Sequence, residues 1–417
     1  MKNIQTNIKK EKQLFKNIFY MGILQGSNIL LPLILVPYLI LTLGSEKFGL
    51  IMFANSFIIY FVTLTSFGFN ISATRNISLY RDKPDQISKI FTTVMFIKII
   101  LLLISFLIFS ILIYSIELFN TDWQIFLYYF GLVIGQVLFP IWYFQGLEKM
   151  KYITYINLGS KILVLILILV FVNDSRDYTI VPIIYSFGAI LSGLIAFIIA
   201  YKSISFKVFT YNDVKETFMD SLKIFISNAS INLYTNTNIF LLGIFTNYQI
   251  VGIYAGFEKI ISAIKGMIQA VFQAIFPWLS NKKDIKKYIN IILPIISLIT
   301  LLGSIIIYYF SNEILELIFN DTSMMNYSYL FQIMLVIPFL ASLNMIYNFL
   351  YLNAIKAYTQ RMNMMLIVGT TSIIFGVTLT FFLGVEGTVI NIIFIELLLL
   401  YMGYKLFTKT NIVPEKK

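Results

Sequence analysis

The sequence predicts an all-α polytopic membrane protein with twelve transmembrane helices in two pseudo-symmetric six-helix lobes around a central cavity. Four observations lead to this fold class. Of 417 residues, 59% are hydrophobic and only 12% are charged, about half the charged fraction of soluble proteins. Apolar runs long enough to cross a bilayer as helices recur from end to end. Basic residues collect in alternate connections, and two stretches of the first half recur in the second.

The apolar runs define twelve predicted spans. Because backbone in lipid must satisfy its own hydrogen bonds, and the sequence lacks the alternation of a barrel, we interpret these runs as helices. Several exceed the roughly 20 residues that a bilayer needs, so we expect tilts or kinks at proline. The predicted spans are 17–43, 49–73, 89–115, 122–145, 152–172, 179–201, 219–245, 250–278, 287–310, 327–351, 361–382 and 386–406.

The distribution of lysine and arginine predicts the orientation. Of the 31 basic residues, 24 lie in the terminal segments and in the connections after spans 2, 4, 6, 8 and 10. The other connections hold two, and the spans hold five. Since basic residues stay on the cytoplasmic side, both termini are predicted to be cytoplasmic. The net charge of +11 is therefore a topology signal, and we expect no nucleic-acid partner.

The absence of cysteine and histidine excludes several classes of chemistry. Disulfides, cysteine or histidine metal sites, Ser-His-Asp catalysis and a histidine proton relay all need one of these residues. These sites are therefore excluded. We also expect no metal, no cofactor and no catalytic residues, and the outer connections considered below predict that the chain is not an enzyme.

Two short stretches of the first half recur in the second. "SEKFGLIMFA" enters span 2 and "NYQIVGIYAG" enters span 8, with Gly49 and Gly252 in register. "YFQGLEKMKY" leaves span 4 and "YLNAIKAYTQ" leaves span 10, with Tyr143 and Tyr351 in register. The offsets are 203 and 208 residues, which predicts lobes at 1–205 and 206–417. Six spans per repeat give both lobes the same orientation, so the site is expected between them.

Polar residues follow one face of several predicted spans. The stripe in span 8 consists of Glu258, Ser262, Lys265, Gln269 and Gln273, with Lys259 about 100° round the helix. Other stripes contain Asn228 and Asn232 in span 7, and Gln25 and Asn28 in span 1. A polar face in a membrane helix points to the bundle interior or to water. The stripes either line the central cavity and bind substrate or make hydrogen bonds between helices.

Four lysines lie deep in predicted spans: Lys98, Lys161, Lys259 and Lys265. The first two lie about 14 Å from a span end, at a rise of 1.5 Å per residue, and the other two lie near the midplane. With only two deep glutamates against them, the interior is net positive. Such an interior favours an anionic substrate, and a phosphate or pyrophosphate head group suits a cluster of ammonium groups.

The two deep glutamates each have two interpretations. Glu258 either forms a structural ion pair with Lys259 or Lys265, or binds and releases a coupling proton. Glu396, in the leucine-rich span 12, either meets a lysine or titrates. Both are candidates for ion coupling, with H⁺ or Na⁺ as the ion.

Three stretches of the chain resemble a known family. The first is "NILLPLILVPYLILTLGSEKFGLIMFANSFIIYFVTLTSFGFNISATRNISLYR", from Asn28 to Arg81, which resembles the N-terminal signature of the Wzx-type O-antigen and capsule repeat-unit flippases. "WYFQGLEKMKYITYINLGSKI" (Trp142–Ile162) and "ILELIFND" (Ile314–Asp321) are similar to later parts of that family. The resemblance covers essentially the whole chain.

This resemblance implies the multidrug/oligosaccharidyl-lipid/polysaccharide exporter superfamily, with twelve helices in two lobes around a cationic cavity. It implies a flippase that moves undecaprenyl-pyrophosphate-linked oligosaccharide from the cytoplasmic to the outer leaflet of the inner membrane by alternating access. The product would serve O-antigen or capsule biosynthesis. Membrane lipid, a polysaccharide polymerase and a chain-length regulator are the implied partners.

The chain departs from this family at two charged positions. Leu41 stands where relatives often have arginine, and Ser66 stands where they often have aspartate. Because the missing charges are opposite, they are interpreted as a compensated pair. Arg75 in "SATRN" does match the family. It is either the first contact of an incoming pyrophosphate or a positive-inside anchor.

Two other functions remain as alternatives. An ion-coupled exporter of drugs or cations shares the fold class, but its interior should be net acidic. A polymerase or ligase needs a large outer loop with basic residues, whereas the longest outer connection, residues 311–326, has no lysine or arginine. The positive interior therefore favours the flippase.

Overall fold

The fold is described by a computed structural model of the chain. It covers residues 2–280, 282 and 284–409, without the side chains of 2–15, 18, 223 and 227–235. All regular secondary structure within these residues is helical. The predicted all-α class is therefore confirmed for the part of the chain that the structure describes.

The helices of the first half are α1 (Lys2–Ser66), α2 (Phe69–Leu79), α3 (Pro84–Ser115), α4 (Glu117–Asn120), α5 (Trp123–Tyr129), α6 (Gly131–Leu138), α7 (Ile141–Gly146), α8 (Met150–Phe171), a 3₁₀ turn at Ser175–Thr179 and α9 (Ile180–Tyr201). Those of the second half are α10 (Tyr211–Phe245), α11 (Tyr248–Ser280), α12 (Ile285–Tyr309), α13 (Ser311–Phe319), α14 (Thr322–Asn326), α15 (Ser328–Met334), α16 (Val336–Met345), a π-helical turn at Ile346–Tyr351, α17 (Leu352–Ala354) and α18 (Tyr358–Thr408).

Nine helical stretches of the described residues are long and apolar enough to cross a membrane. Two of them, Phe19–Leu79 and Tyr358–Thr408, have 61 and 51 residues, more than twice the roughly 20 residues that a bilayer requires. Each is broken by a glycine with positive φ, 79° at Gly44 and 59° at Gly384. The chain is a multi-pass membrane protein.

The structure interrupts two spans that the sequence predicts as continuous. Predicted span 4 is divided among α5, α6 and α7, with non-helical backbone at Phe139 and Pro140. The break has a local cause, because proline lacks the amide that would continue the helix. Predicted span 10 passes from α16 into the π-helical turn, a distortion that often lies at functional sites.

One compact unit comprises the chain up to Leu31 and the segment Ala54–Ala229. Its core is aromatic, and the ring of the fully buried Trp142 lies 5.4 Å from that of Phe91. Helices α6 and α9 approach closely because small residues line the contact. A Cβ on Gly135 would lie 2.4 Å from a backbone atom of α9.

The connection after α9 and the first turn of α10 are both tied to α3 in the same unit. Lys207 pairs with Asp85 and Lys89 pairs with Asp213, each at 2.9 Å. The backbone N–H of Thr210, together with the ammonium of Lys89, holds the pKa of Asp213 at about 2. The carboxylate is therefore ionised at every physiological pH, and the tie persists.

The other compact unit comprises Pro32–Phe53 and the chain from Ser230 onward. Phe272 of α11, Leu350 of the π-helical turn and Val368 of α18 are fully buried in its core. Its core thus joins helices that are far apart in sequence. The lobe boundary predicted between residues 205 and 206 stays a prediction.

Gly49 and Gly252, which the repeat places in register, contact each other in this second unit. A Cβ on Gly49 would lie 1.7 Å from the carbonyl oxygen of Tyr248, and a Cβ on Gly252 would lie 1.9 Å from that of Ser45. Ser45 and Tyr248 are themselves 203 residues apart. The contact is therefore reciprocal, as a local two-fold axis requires. Only glycine permits this approach of α1 to α11.

The second repeated stretch contains the same helix-ending turn in both halves. One residue in each turn has positive φ, 57° at Glu148 and 60° at Lys356. The next amide donates to the carbonyl oxygen five residues before it, over 2.8 Å in the first half and 2.9 Å in the second. This pattern is a Schellman helix end. The two positions are 208 residues apart, which matches the offset of the sequence repeat.

The substitution Lys356→Gly is expected to stabilise the protein by about 0.5–1 kcal/mol, because glycine adopts positive φ without the steric cost of a side chain. Thermal unfolding of the purified protein in detergent measures the effect. Lys215→Gly, at an exposed position inside α10, is the control and should destabilise by about 1 kcal/mol. A lower melting temperature for Lys356→Gly would contradict the prediction that Lys356 is strained at its positive φ.

Candidate functional site

Two of the predicted charged residues, Lys265 and Glu396, meet where α11, α16 and α18 pack together. The Nζ of Lys265 on α11 donates to Oε1 of Glu396 on α18 at 2.8 Å. The amide Nδ2 of Asn344 on α16 donates to the other carboxylate oxygen, Oε2. We call these three residues the ion-pair cluster. The interpretation of Glu396 as the partner of a lysine fits this geometry.

The ion-pair cluster is buried unequally. The Glu396 side chain is 8% exposed, whereas that of Lys265 is 32% exposed. A buried carboxylate needs a cation and hydrogen bonds to offset its lost hydration, and here both oxygens are occupied. The lysine is the more exposed member of the pair, so a ligand would reach its ammonium before it reached the carboxylate.

Asn344 fixes the carboxylate from the other side. Its Nδ2 also donates to the backbone carbonyl oxygen of Glu396 at 2.9 Å. Its Oδ1 is buried without a hydrogen-bond partner among the described residues. The amide therefore bridges the main chain and the side chain of one residue, and the π-helical turn begins two residues later.

Glu258 and Lys259 form a looser pair on α11. Nζ of Lys259 lies 3.9 Å from Oε2 of Glu258, and this oxygen is buried with no hydrogen-bond partner in the part of the chain whose side chains are described. The sequence offers Lys259 and Lys265 as partners of Glu258. Among the described contacts, Lys259 lies in ion-pair range of Glu258, whereas the ammonium of Lys265 contacts Glu396. Gln269, further along the same helix, is half-buried.

Lys98 lies in a different environment, inside the first unit. It is only 2% exposed, and its Nζ donates to the carbonyl oxygen of Gln136 at 2.8 Å. In a continuous helix this carbonyl would accept from the amide four residues later, but that residue is Pro140, which has no N–H. The ammonium replaces the missing donor and also faces the negative end of α6. This contact gives Lys98 a structural function besides the predicted binding function.

The substitution Lys98→Met is expected to lower stability by about 1–3 kcal/mol, because the carbonyl of Gln136 is left buried and unpaired. Methionine keeps most of the apolar stem, so the loss reports the hydrogen bond. Lys161→Met is the matched control, since its partner Asn28 is exposed. Thermal unfolding in detergent compares them. If Lys98→Met melts like the wild type but no longer binds an anion, the lysine is a substrate ligand instead.

The structure also brings together two residues that the sequence predicts separately. The ammonium of Lys161 on α8 contacts the side-chain oxygen of Asn28 on α1. Gln25, one turn earlier, is half-buried. These three polar groups belong to one unit of the fold.

Arg75 makes an exposed ion pair. Its Nη2 lies 3.0 Å from Oδ2 of Asp220, with side-chain exposures of 59% and 45%. Exposed pairs contribute about 0–1 kcal/mol, so the guanidinium can exchange this partner for another anion at little cost. The side chains of Asn228 and Asn232 lie outside the described residues.

Two contact residues, Asn344 and Gln136, were not predicted from the sequence. Asn344 holds Glu396, the partner of Lys265, and Gln136 accepts a hydrogen bond from Lys98. The two positions are 208 residues apart, the offset of the second repeated stretch. Applying that offset to every polar residue in the spans would have found the pair. Each repeat therefore carries an amide side chain at an equivalent position, buried at Asn344 and half-buried at Gln136.

Residues 14–283 match the family described as "Polysaccharide biosynthesis protein". Over 280 residues the chain is 31% identical to a protein of Escherichia coli strain K12 named "Putative O-antigen transporter", covering 67% of this chain and 68% of that protein. A protein of the same name from Shigella dysenteriae is 25% identical over 273 residues, or 64% of this chain and 67% of that one.

Two solved structures have a similar fold. One is described as "Lipid II flippase MurJ, inward closed conformation", with a TM-score of 0.73 and 16% identity, over 94% of this chain and 88% of that one. The other is a multidrug resistance MATE family transporter of the MOP superfamily in an inward-facing conformation, with a TM-score of 0.67 and 14% identity, over 94% of this chain and 98% of that one. These likenesses establish the class of fold.

Proposed function

Because the chain belongs to the polysaccharide biosynthesis protein family, we propose that it is a flippase for lipid-linked oligosaccharide repeat units. It moves undecaprenyl-pyrophosphate-linked units from the cytoplasmic to the outer leaflet of the inner membrane by alternating access. The product serves O-antigen or capsule biosynthesis. The names of the two relatives, O-antigen transporters, support this substrate class, and the fold it shares with a lipid II flippase supports the mechanism.

The observation that carries the proposal is the excess of lysine deep in the spans. The four deep lysines outnumber the two deep glutamates. A charge inside the membrane is costly and usually marks a substrate or ion pathway. A positive interior suits a pyrophosphate, whose oxygens accept charge-assisted hydrogen bonds.

The roles follow from position and chemistry. Lys259 and Lys265 bind the pyrophosphate, and Arg75 meets it first. The remaining predicted residues bind glycan hydroxyls or the head group. They are the deep lysines of the first half, Lys98 and Lys161, and the polar side chains of Gln25, Asn28, Asn228, Asn232 and Gln269. Glu258 and Glu396 are the candidates for coupling transport to H⁺ or Na⁺.

The proposed topology has twelve spans, both termini in the cytoplasm, and lobes at 1–205 and 206–417. Two of the nine described spans are long enough to hold two crossings each, and α10 contains one more apolar segment, Asn236–Phe245. This supports an even number of crossings. The excess of basic residues in alternate connections supports the orientation. A polymerase and a chain-length regulator are the proposed partners.

An ion-coupled exporter of another substrate is the alternative, and the fold shared with a multidrug transporter is what favours it. A cation exporter needs anionic groups that are free to meet its substrate. Here the buried carboxylate of Glu396 is already occupied by a lysine and an amide. Glu258 has only a loose pair with Lys259, so it is the excess of deep lysines over deep glutamates that favours an anion.

The experiment that tests the proposal is translocation of a fluorescent polyprenyl-pyrophosphate oligosaccharide in proteoliposomes. Lys259→Ala and Lys265→Ala are compared with the wild type at equal amounts of folded protein. Lys149→Ala, at an exposed position, is the matched control. We expect translocation by the wild type and the control, and at least a tenfold loss in the other two variants. A wild type that moves cationic drugs but no lipid-linked oligosaccharide would establish the alternative.

A further inference from the structure

The ammonium of Lys265 already has an anionic partner, and this has a consequence for any phosphate that it binds. A lysine ammonium carries three donors, but a carboxylate at 2.8 Å repels a second anion at the same site. The pyrophosphate of the proposed function must therefore compete with Glu396. The inference below rests on that proposed function.

The geometry lets the lysine leave while the carboxylate stays. Lys265 is the more exposed member of the pair, and its side chain is long and flexible. Glu396 is held by Asn344 at both Oε2 and the backbone carbonyl. These two contacts do not involve the lysine, so they persist when the ion pair opens.

We propose that Glu396 is a built-in competitor of the substrate, and that Lys265 alternates between this carboxylate and a pyrophosphate oxygen. Binding of the head group takes the ammonium from Glu396. When the head group leaves, the carboxylate recaptures the ammonium. Recapture keeps the affinity for the head group moderate and speeds its release on the far side of the membrane. Asn344 is the positioning residue that keeps the competitor in place.

This arrangement predicts that removing the competing charge strengthens binding. Glu396→Gln keeps the size of the side chain but removes its charge. The affinity for a pyrophosphate is expected to rise about tenfold, while translocation slows because release slows. Lys265→Met abolishes the tight binding. The gain in affinity from Glu396→Gln is expected to be smaller in the Lys265→Met background than in the wild type, because only the direct repulsion by the carboxylate remains once the ammonium is gone.

The test is calorimetric titration of the full-length protein in detergent with farnesyl pyrophosphate, with thermal unfolding of each variant as the check of folding. If the affinity of folded Glu396→Gln is unchanged or lower than that of the wild type, the competition is refuted. A gain of the same size in the Lys265→Met background as in the wild type also refutes it, because the carboxylate would then act by direct repulsion alone. Should Glu396→Gln not fold, Glu396→Asp replaces it, since the shorter side chain withdraws the carboxylate and is expected to raise affinity by a smaller factor.

The same titration separates this inference from the proposed function. If the wild type binds and translocates polyprenyl pyrophosphates but Glu396→Gln gains no affinity, the competitor fails and the flippase stands. If the wild type neither binds farnesyl pyrophosphate nor translocates the lipid-linked oligosaccharide, the proposed function fails and the competitor fails with it.

Discussion

Replacing either Gly49 or Gly252 by alanine is expected to destabilise the protein by about 3 kcal/mol or more, because the added methyl group overlaps the facing backbone. The new Cβ would lie 1.7 Å from the carbonyl oxygen of Tyr248 in one variant and 1.9 Å from that of Ser45 in the other. A side chain could rotate away from such an overlap, but a helical carbonyl cannot. Relief requires α1 and α11 to separate.

Gly303→Ala is the matched control for these variants. Gly303 lies inside α12, and a Cβ there would have no neighbour within 4 Å. Alanine at such a position should be neutral or stabilising by up to about 1 kcal/mol. Thermal unfolding in detergent and the yield of monodisperse protein give the comparison. Equal melting of Gly49→Ala and Gly303→Ala would disprove the close contact.

The register of these glycines could be predicted from the sequence, whereas their contact could not. A glycine in a span indicates a turn, a bulge or a close approach, but does not name its partner. The reciprocal contact depends on where the local two-fold axis passes, which is a property of the packed helices. The Schellman turns show the same difference between what the sequence predicts and what only the structure reveals. Tyr143 and Tyr351 gave the offset, but the positive φ of Glu148 and Lys356 needed coordinates.

Helix periodicity likewise predicts which face carries a charge but not what the charge meets. The stripe on α11 placed Lys265 on a polar face, and its partner lies 131 residues later. The sequence therefore left two interpretations open for Glu396. Lys98 differs, because one signal was readable: Pro140 leaves the carbonyl of Gln136 without its helical donor. A lysine deep in one span and a proline in another together predict a helix break at the proline, with the lysine ammonium capping the free carbonyl.

The substitution Lys265→Ala is expected to cost about 3 kcal/mol of stability, near the lower end for a broken buried ion pair, because the lysine is partly exposed. The loss has little to do with the lysine's own packing. It arises because the carboxylate of Glu396, whose side chain is 8% exposed, is left in a low-dielectric site without its cation. Lys259→Ala should cost less than about 1 kcal/mol, since its pair spans 3.9 Å without a hydrogen bond.

The double variant Lys265→Ala/Glu396→Gln separates this explanation from a simple loss of contacts. If the unpaired charge is the cause, neutralising Glu396 should recover most of the lost stability, as in a double-mutant cycle with strong coupling. If Lys265 stabilises the protein through its aliphatic stem, the double variant will melt no higher than Lys265→Ala. Thermal unfolding in detergent of the four proteins, wild type included, gives the coupling directly. Recovery would identify the buried carboxylate, and not the lysine, as the group that makes this position intolerant of change.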